Sequence, residues 1–139
     1  MWQKRNVTME IPWSDYLLTG NEVVDIQHKK LFDYLQILIA TSKSGIHKSV
    51  QVKNSFDALI EYTITHFEDE EIILEGIEYP ELANHQKMHR NFTKDIIEFR
   101  ELLEIDEIII DKLILFIQNW FVLHIKQEDM KAMRFRRSD

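Results

Sequence analysis

The sequence predicts an all-α protein: an up-down-up-down antiparallel four-helix bundle preceded by an irregular N-terminal arm. Three observations carry this expectation. Apolar residues recur at alternating spacings of three and four in four separate stretches, the period of a helix that buries one seam. Only 3 Gly and 2 Pro occur in 139 residues, too few breakers for the tight turns of a sandwich or barrel. The links between the periodic stretches are short, and short links between helices of roughly 20 residues favour antiparallel neighbours.

Residues 1–21, with Trp2, Pro12 and Trp13, read as an arm laid against the bundle. The first helix is expected from about Asn21 to Ser42, with Val24, His28, Leu31, Leu35 and Leu38 on its inward seam. A link from Ser42 to His47 contains Gly45. The second seam runs Val52, Phe56, Leu59, Thr63, His66, Glu70, Ile73 and ends near Gly76, a residue suited to a left-handed C-terminal cap. Pro80 suits the first turn of the third helix, whose seam is Leu82, His85, His89, Phe92, Ile96, Phe99 and Leu103. A short acidic link from Leu103 to Asp106 leads to the fourth seam, Ile110, Leu113, Ile117, Trp120 and His124. In the tail, Lys131, Arg134, Arg136 and Arg137 accompany Met130, Met133 and Phe135, and a frayed, solvated end is expected. Residues 1–139 therefore read as a single domain, with the arm at 1–21, the bundle at 22–129 and the tail at 130–139.

Composition excludes several classes of function. Hydrophobic residues at 45% and charged residues at 29% are enough for a core and argue against disorder. With no cysteine, disulfides, iron–sulfur clusters, thiolate zinc sites and cysteine nucleophiles all drop out. The net charge of −7 is the wrong sign for a broad nucleic-acid footprint. No apolar run approaches the ~18–20 residues of a membrane helix, so no membrane insertion is expected. Met1-Trp2-Gln3-Lys4-Arg5-Asn6 leads into polar residues rather than a signal-peptide stretch, and the cytoplasm is the expected location. From Asn54 to Gln86 there is no Lys or Arg among many Asp and Glu; most of that tract reads as a solvated helix face, Glu70 excepted. No protein partner is legible.

Five of the six histidines, His28, His66, His85, His89 and His124, fall on the inward seams. Unliganded imidazoles packed into one core are costly, since each carries nitrogens that need partners. Their depth is informative. His28 lies early in the first helix, His66 and Glu70 late in the second, His85 and His89 early in the third, and His124 late in the fourth. In an up-down bundle these regions share one end, so the candidates converge on one layer; His47 lies at the opposite end and receives no role.

An i,i+4 pair lies ~40° apart and one turn along a helix, so His66 with Glu70, and His85 with His89, each face one centre. His124 and Asp129 are i,i+5, ~140° apart on a straight helix; both reach the layer only if the helix end frays or tightens. Five imidazoles and two carboxylates exceed the four ligands of one zinc and suit two first-row ions with bridging carboxylates. The nitrogen-rich set points to iron, with copper or zinc as alternatives, and away from magnesium or calcium. Ferritin-like sites need Glu-x-x-His motifs, and no Glu stands three residues before any of these histidines.

The pattern resembles the hemerythrin family, in particular its short single-domain bacterial members. The matching segments are Trp13-Ser14-Asp15 with Gly20 and Asp25-Ile26-Gln27-His28-Lys29-Lys30-Leu31, then His66-Phe67-Glu68-Asp69-Glu70-Glu71. They continue with Tyr79-Pro80, His85-Gln86-Lys87-Met88-His89 and Phe92, and close with Trp120-Phe121-Val122-Leu123-His124-Ile125 and Asp129. The resemblance spans about residues 13–129 and fills all seven ligand positions of the family in order.

That resemblance implies a non-haem di-iron centre that binds dioxygen reversibly and is not an enzyme. His85, His89 and His124 would hold one iron, and His28 and His66 the other. Glu70, Asp129 and an oxo or hydroxo group would bridge them. The second iron is then one ligand short, and dioxygen is placed there, in a dry pocket of Phe67, Trp120, Phe121 and Ile125. Phe121 stands where many relatives have Leu. The roles implied are oxygen carriage, storage, delivery or sensing. The rival readings are a di-iron enzyme handling peroxide, oxygen or nitric oxide, and a metal-handling bundle. Asp25, three residues before His28, reads either as a partner that orients that imidazole or as a helix-start carboxylate favoured by the dipole.

Overall fold

The computed structural model describes residues 13–43, 48–103 and 109–136. The expectations for Trp2, Pro12, Gly45, His47, Asp106 and Arg137 lie outside them. Four helices, α1 (Glu22–Ser42), α2 (Lys48–Gly76), α3 (Leu82–Leu102) and α4 (Ile110–His124), follow one another in the order the seams predict. α1 packs on α2, α2 on α3, α3 on α4 and α4 on α1, which closes the bundle. No strand occurs among the described residues. No helix there is long and apolar enough to cross a membrane.

α1 starts where its chemistry demands. The Asn21 side chain caps it by accepting from the Val24 N–H at 3.0 Å. Gly20, at φ +99°, supplies the left-handed turn into that cap. Asp25 stands in the first turn of α1, as one of its two sequence readings has it. It is buried and turns backwards, accepting from the Thr19 N–H at 2.8 Å, the Thr19 hydroxyl at 2.7 Å and the Gly20 N–H at 3.2 Å. It therefore ties the incoming chain to α1 rather than orienting His28. Upstream, the Asp15–Leu17 turn buries Leu17, and Trp13 packs edge-on against Phe32.

α2 ends at Gly76 as expected, but the left-handed cap lies elsewhere. Gly76 is its last helical residue, and the positive angle falls on Glu78 at φ 58°. The Tyr79 N–H bonds to the Leu74 carbonyl and the Glu78 N–H to the Glu75 carbonyl, both at 3.0 Å. That is the paired closure in which the residue two beyond the last helical one turns left-handed. Buried Leu74 and Tyr79 add the apolar contact that accompanies it. Pro80 follows this cap, ahead of the α3 N-cap at Glu81, so it stops α2 rather than starting α3.

The described part of the tail is packed rather than frayed, with Lys131, Arg134 and Arg136 exposed. The short helix α5 (Met130–Met133) buries Ala132 and Met133 against Val24, Leu74 and Tyr79, with Phe135 packed on the same cluster. These residues close the end of the bundle that carries the histidines.

Candidate metal centre

His28, His66, Glu70, His85, His89, His124 and Asp129 are all buried, Glu70 fully so. They form two overlapping groups, each with candidate ligand atoms within 4.8 Å of one another. One group contains His85, His89 and His124, the other His28 and His66, and Glu70 and Asp129 belong to both. The carboxylates divide their oxygens between the two. Glu70 Oε1 lies 2.9 Å from His85 Nε2 and 3.1 Å from His89 Nε2, while Oε2 lies 3.6 Å from both His28 Nε2 and His66 Nε2. Asp129 Oδ1 faces His85 at 3.0 Å and His124 at 3.1 Å, and Oδ2 faces His28 at 3.1 Å.

The i,i+5 pair is reconciled by widening, not by fraying or tightening. After α4 the chain makes a π-helical turn, Ile125–Asp129, in which the Met130 N–H reaches the Ile125 carbonyl five residues back. A turn closed by i→i+5 bonds brings residues five apart onto one face. Asp129 thereby comes beneath His124 instead of far round the helix.

Several approaches in the cluster are short without being hydrogen bonds. His28 Nε2, Glu70 Oε2 and Asp129 Oδ1 are buried and have no hydrogen-bond partner: the imidazoles nearest Glu70 Oε2 stand 3.6 Å away, and the closer neighbours of the other two are out of line. Unpaired buried polar atoms are expensive. Nitrogen and oxygen atoms that converge on common points without pairing form a donor set that fits a cation.

Electrostatics describe the cluster without metal. Burial opposes charge on His28, but the Asp129 and Glu70 carboxylates outweigh it and raise the imidazole to about 9. The same contest raises His85 to about 10. Burial wins at His66, lowered to about 4 despite Glu70. Burial and their mutual repulsion would raise the carboxyl of Glu70, yet His28, His85 and His89 hold it below the ordinary range. Burial likewise works against the charge on Asp129, and His124, His28 and His85 outweigh it. The carboxylates are thus anionic, and imidazoles hold protons where a cation would displace them.

Two supporting residues escaped the sequence reading. Gln27 Oε1 is 2.7 Å from His66 Nδ1, and its amide nitrogen donates to Asp69 at 2.9 Å. Glu71 is 2.7 Å from His89 Nδ1. Both hold the ring nitrogen that faces away from the centre, fixing tautomer and orientation. Asp69 and Glu71 are only half-buried members of the acidic tract, and they work as partners rather than as a solvated face.

Next to the two-histidine group lies a cavity of about 10 Å³, lined by His28, His66, His124 and Asp129 together with Leu31, Phe67, Trp120, Phe121 and Ile125. The structure thus brings all four expected pocket residues together and adds Leu31. Phe67 stacks on His89 with centroids 3.8 Å apart, and Trp120 on His124 at 4.2 Å.

Comparison with known proteins agrees with this arrangement. The family model described as the hemerythrin HHE cation binding domain matches residues 19–135. A bacteriohemerythrin of Stenotrophomonas maltophilia is 32% identical over 84% of this chain and 75% of its own length. One from Pseudomonas paraeruginosa is 29% identical over the same shares. A crystal structure of a hemerythrin mutant superposes with a TM-score of 0.77 at 24% identity, over 87% of this chain and 92% of that one, a likeness of fold. With its four-helix architecture and buried histidine–carboxylate cluster, the chain belongs to the hemerythrin family.

Proposed function

We propose that the cluster is a di-iron centre and that the protein binds dioxygen reversibly, as a carrier, store, delivery protein or sensor rather than an enzyme. His85, His89 and His124 serve one ion and His28 and His66 the other. Glu70 and Asp129, common to both groups, would serve both ions. The observation that carries this reading is the division of the two shared carboxylates, each turning one oxygen toward the group of three imidazoles and the other toward the group of two. Iron, when bound, supplies the electrons and the open coordination position for dioxygen.

The remaining work falls to the chain. The side with fewer imidazoles is the side with the cavity, and apart from the cluster itself that cavity is lined by Leu31, Phe67, Trp120, Phe121 and Ile125. None of these five is an acid or a hydroxyl. A wall of this kind excludes water and offers no carboxylic proton to a bound ligand, which favours release over turnover. Gln27 and Glu71 keep His66 and His89 aimed inward.

The test is the optical spectrum of the reduced, iron-loaded protein before air, after air and after oxygen removal. Return to the first spectrum is expected. Sustained consumption of reductant and oxygen contradicts the reading in favour of an enzyme, and no oxygen-dependent change in favour of a metal-handling bundle.

A further inference from the structure

The cavity beside His28 and His66 is walled almost entirely by buried side chains. Leu31, Phe67, Phe121 and Ile125 are each at most 5% exposed, and of the residues that line it only Trp120 is partly exposed. Trp120 is clamped between two rings, 4.2 Å from His124 and 4.0 Å from Phe92, each 12° from parallel. On the far side of Phe67 an open groove of about 450 Å³ runs between α2 and α3. Ile64 and Ile97 line it, exposed Glu68, Arg90 and Lys94 border it, and it reaches inward to Phe67 and His89. Phe67 is the one described residue that lines both the groove and the cavity.

One ring therefore stands between this groove and the cavity. It lies flat on the His89 imidazole, 3° from parallel, and Glu71 fixes that imidazole from the groove side. Swinging Phe67 aside breaks one close parallel stack, whereas moving Trp120 breaks two. Beyond the ring the cavity wall outside the histidine–carboxylate cluster is apolar, made of Leu31, Trp120, Phe121 and Ile125. A neutral diatomic loses little on leaving water for such surroundings, while an anion loses its hydration.

We propose that Phe67 is the door through which small neutral ligands pass from the α2–α3 groove into the cavity, and that its bulk sets what passes. The proposal rests on the reading of the cavity as the dioxygen site, but its test does not need iron or oxygen. The sequence contains no cysteine, so Leu31→Cys places a single thiol in the cavity wall, with Ile125→Cys as a second position should the first not fold. The reagent is methyl methanethiosulfonate, applied to metal-free protein. Leu38→Cys, buried in the apolar core, reports opening by unfolding, and the readout is the ratio of the cavity rate to the Leu38→Cys rate.

Phe67→Leu removes one aromatic stack and should raise that ratio about two- to tenfold. Ile64→Trp, which fills the groove without touching the cavity, should lower it by a similar factor. An unchanged ratio with Ile64→Trp, or a rise with Trp120→Leu but not with Phe67→Leu, overturns the proposal. In iron-loaded protein Ile64→Trp, which lies outside the cavity wall, should slow dioxygen association and dissociation together and leave affinity unchanged, while Phe67→Leu should speed both. If that protein shows no oxygen response, the functional reading fails while the labelling ratio still decides the door.

Discussion

The two halves of the bundle core are built on opposite principles. Around Phe56 and Ile117 the core is Leu35, Leu38, Ile39, Val52, Leu59, Ile96, Leu103, Leu113 and Ile114, side chains that need only each other. Its buried Thr63 donates to the Leu59 carbonyl at 2.7 Å. At the other end, five imidazoles and two carboxylates occupy the same kind of buried space, some without hydrogen-bond partners. The apolar half is held by burial alone. The histidine half is arranged for a ligand and is costly without one. What the difference teaches is that here stability and function can be moved separately.

The largest separation is expected between Leu59→Ala and Glu70→Gln. Truncating Leu59, 1% exposed in the apolar half, should cost about 2–5 kcal/mol in both metal-free and iron-loaded protein. Glu70→Gln keeps the shape but removes an anion shared by both ligand groups. It should abolish most of the gain in melting temperature on iron loading, a gain on the order of 4 kcal/mol at a thousandfold excess over Kd. If wild-type melting temperatures with and without iron are equal, or Glu70→Gln leaves the gain intact, the comparison breaks.

The pH dependence should sharpen the same contrast. His28 and His85 rise in the folded, metal-free protein from 6.5 to about 9 and about 10. Their stabilising contribution is complete below 6.5 and is lost as pH rises through those values. Glu70 and Asp129 are lowered, so theirs is present above the ordinary carboxylate range and lost in acid. His66, lowered from 6.5 to about 4, favours the fold above 6.5 and loses that contribution as pH falls through about 4. The metal-free form should therefore be most stable near pH 6–7 and decline towards pH 10. Iron holds imidazoles neutral and should flatten the alkaline arm. Metal-free melting temperatures that stay level from neutral pH to pH 10 would contradict the electrostatic account.

The smallest effect expected is at Phe121, which is buried and lines the cavity. Phe121→Ser introduces a hydroxyl and room for water and should hasten irreversible loss of the air-dependent spectrum. Phe121→Leu should change the rate of oxygen release more than that loss. If the Ser variant is as long-lived as wild type, Phe121 only packs, and dryness rests on Leu31, Phe67, Trp120 and Ile125.

Much of this contrast was legible in the sequence, because a helical seam states both what is buried and at what depth. Phe56 and Leu59 fall on the same seam as His66 and Glu70, so the switch from apolar to ligand chemistry along α2 can be read directly. The π turn was harder. On a straight helix His124 and Asp129 misalign, and the fivefold spacing is itself the period of the turn that reconciles them. Gln27 and Glu71 left no periodic trace, because each reaches across to an imidazole on another helix, 39 and 18 residues away. Asp25 is the first-turn carboxylate of one sequence reading, but its partners, Thr19 and Gly20, precede the helix and carry no periodic mark. Gly76 misled because composition marks where a left-handed residue is easy, while the hydrogen bonds of Glu78 and Tyr79 decide where it falls.

The most direct test of the central claim is anaerobic titration of metal-free protein with ferrous iron, followed by metal analysis of the desalted product. Two groups that share Glu70 and Asp129 predict an end point of about two iron ions per chain, because bridging carboxylates serve a pair of first-row ions rather than one. An end point of one ion, or a site that retains mainly zinc when both metals are offered, would contradict it.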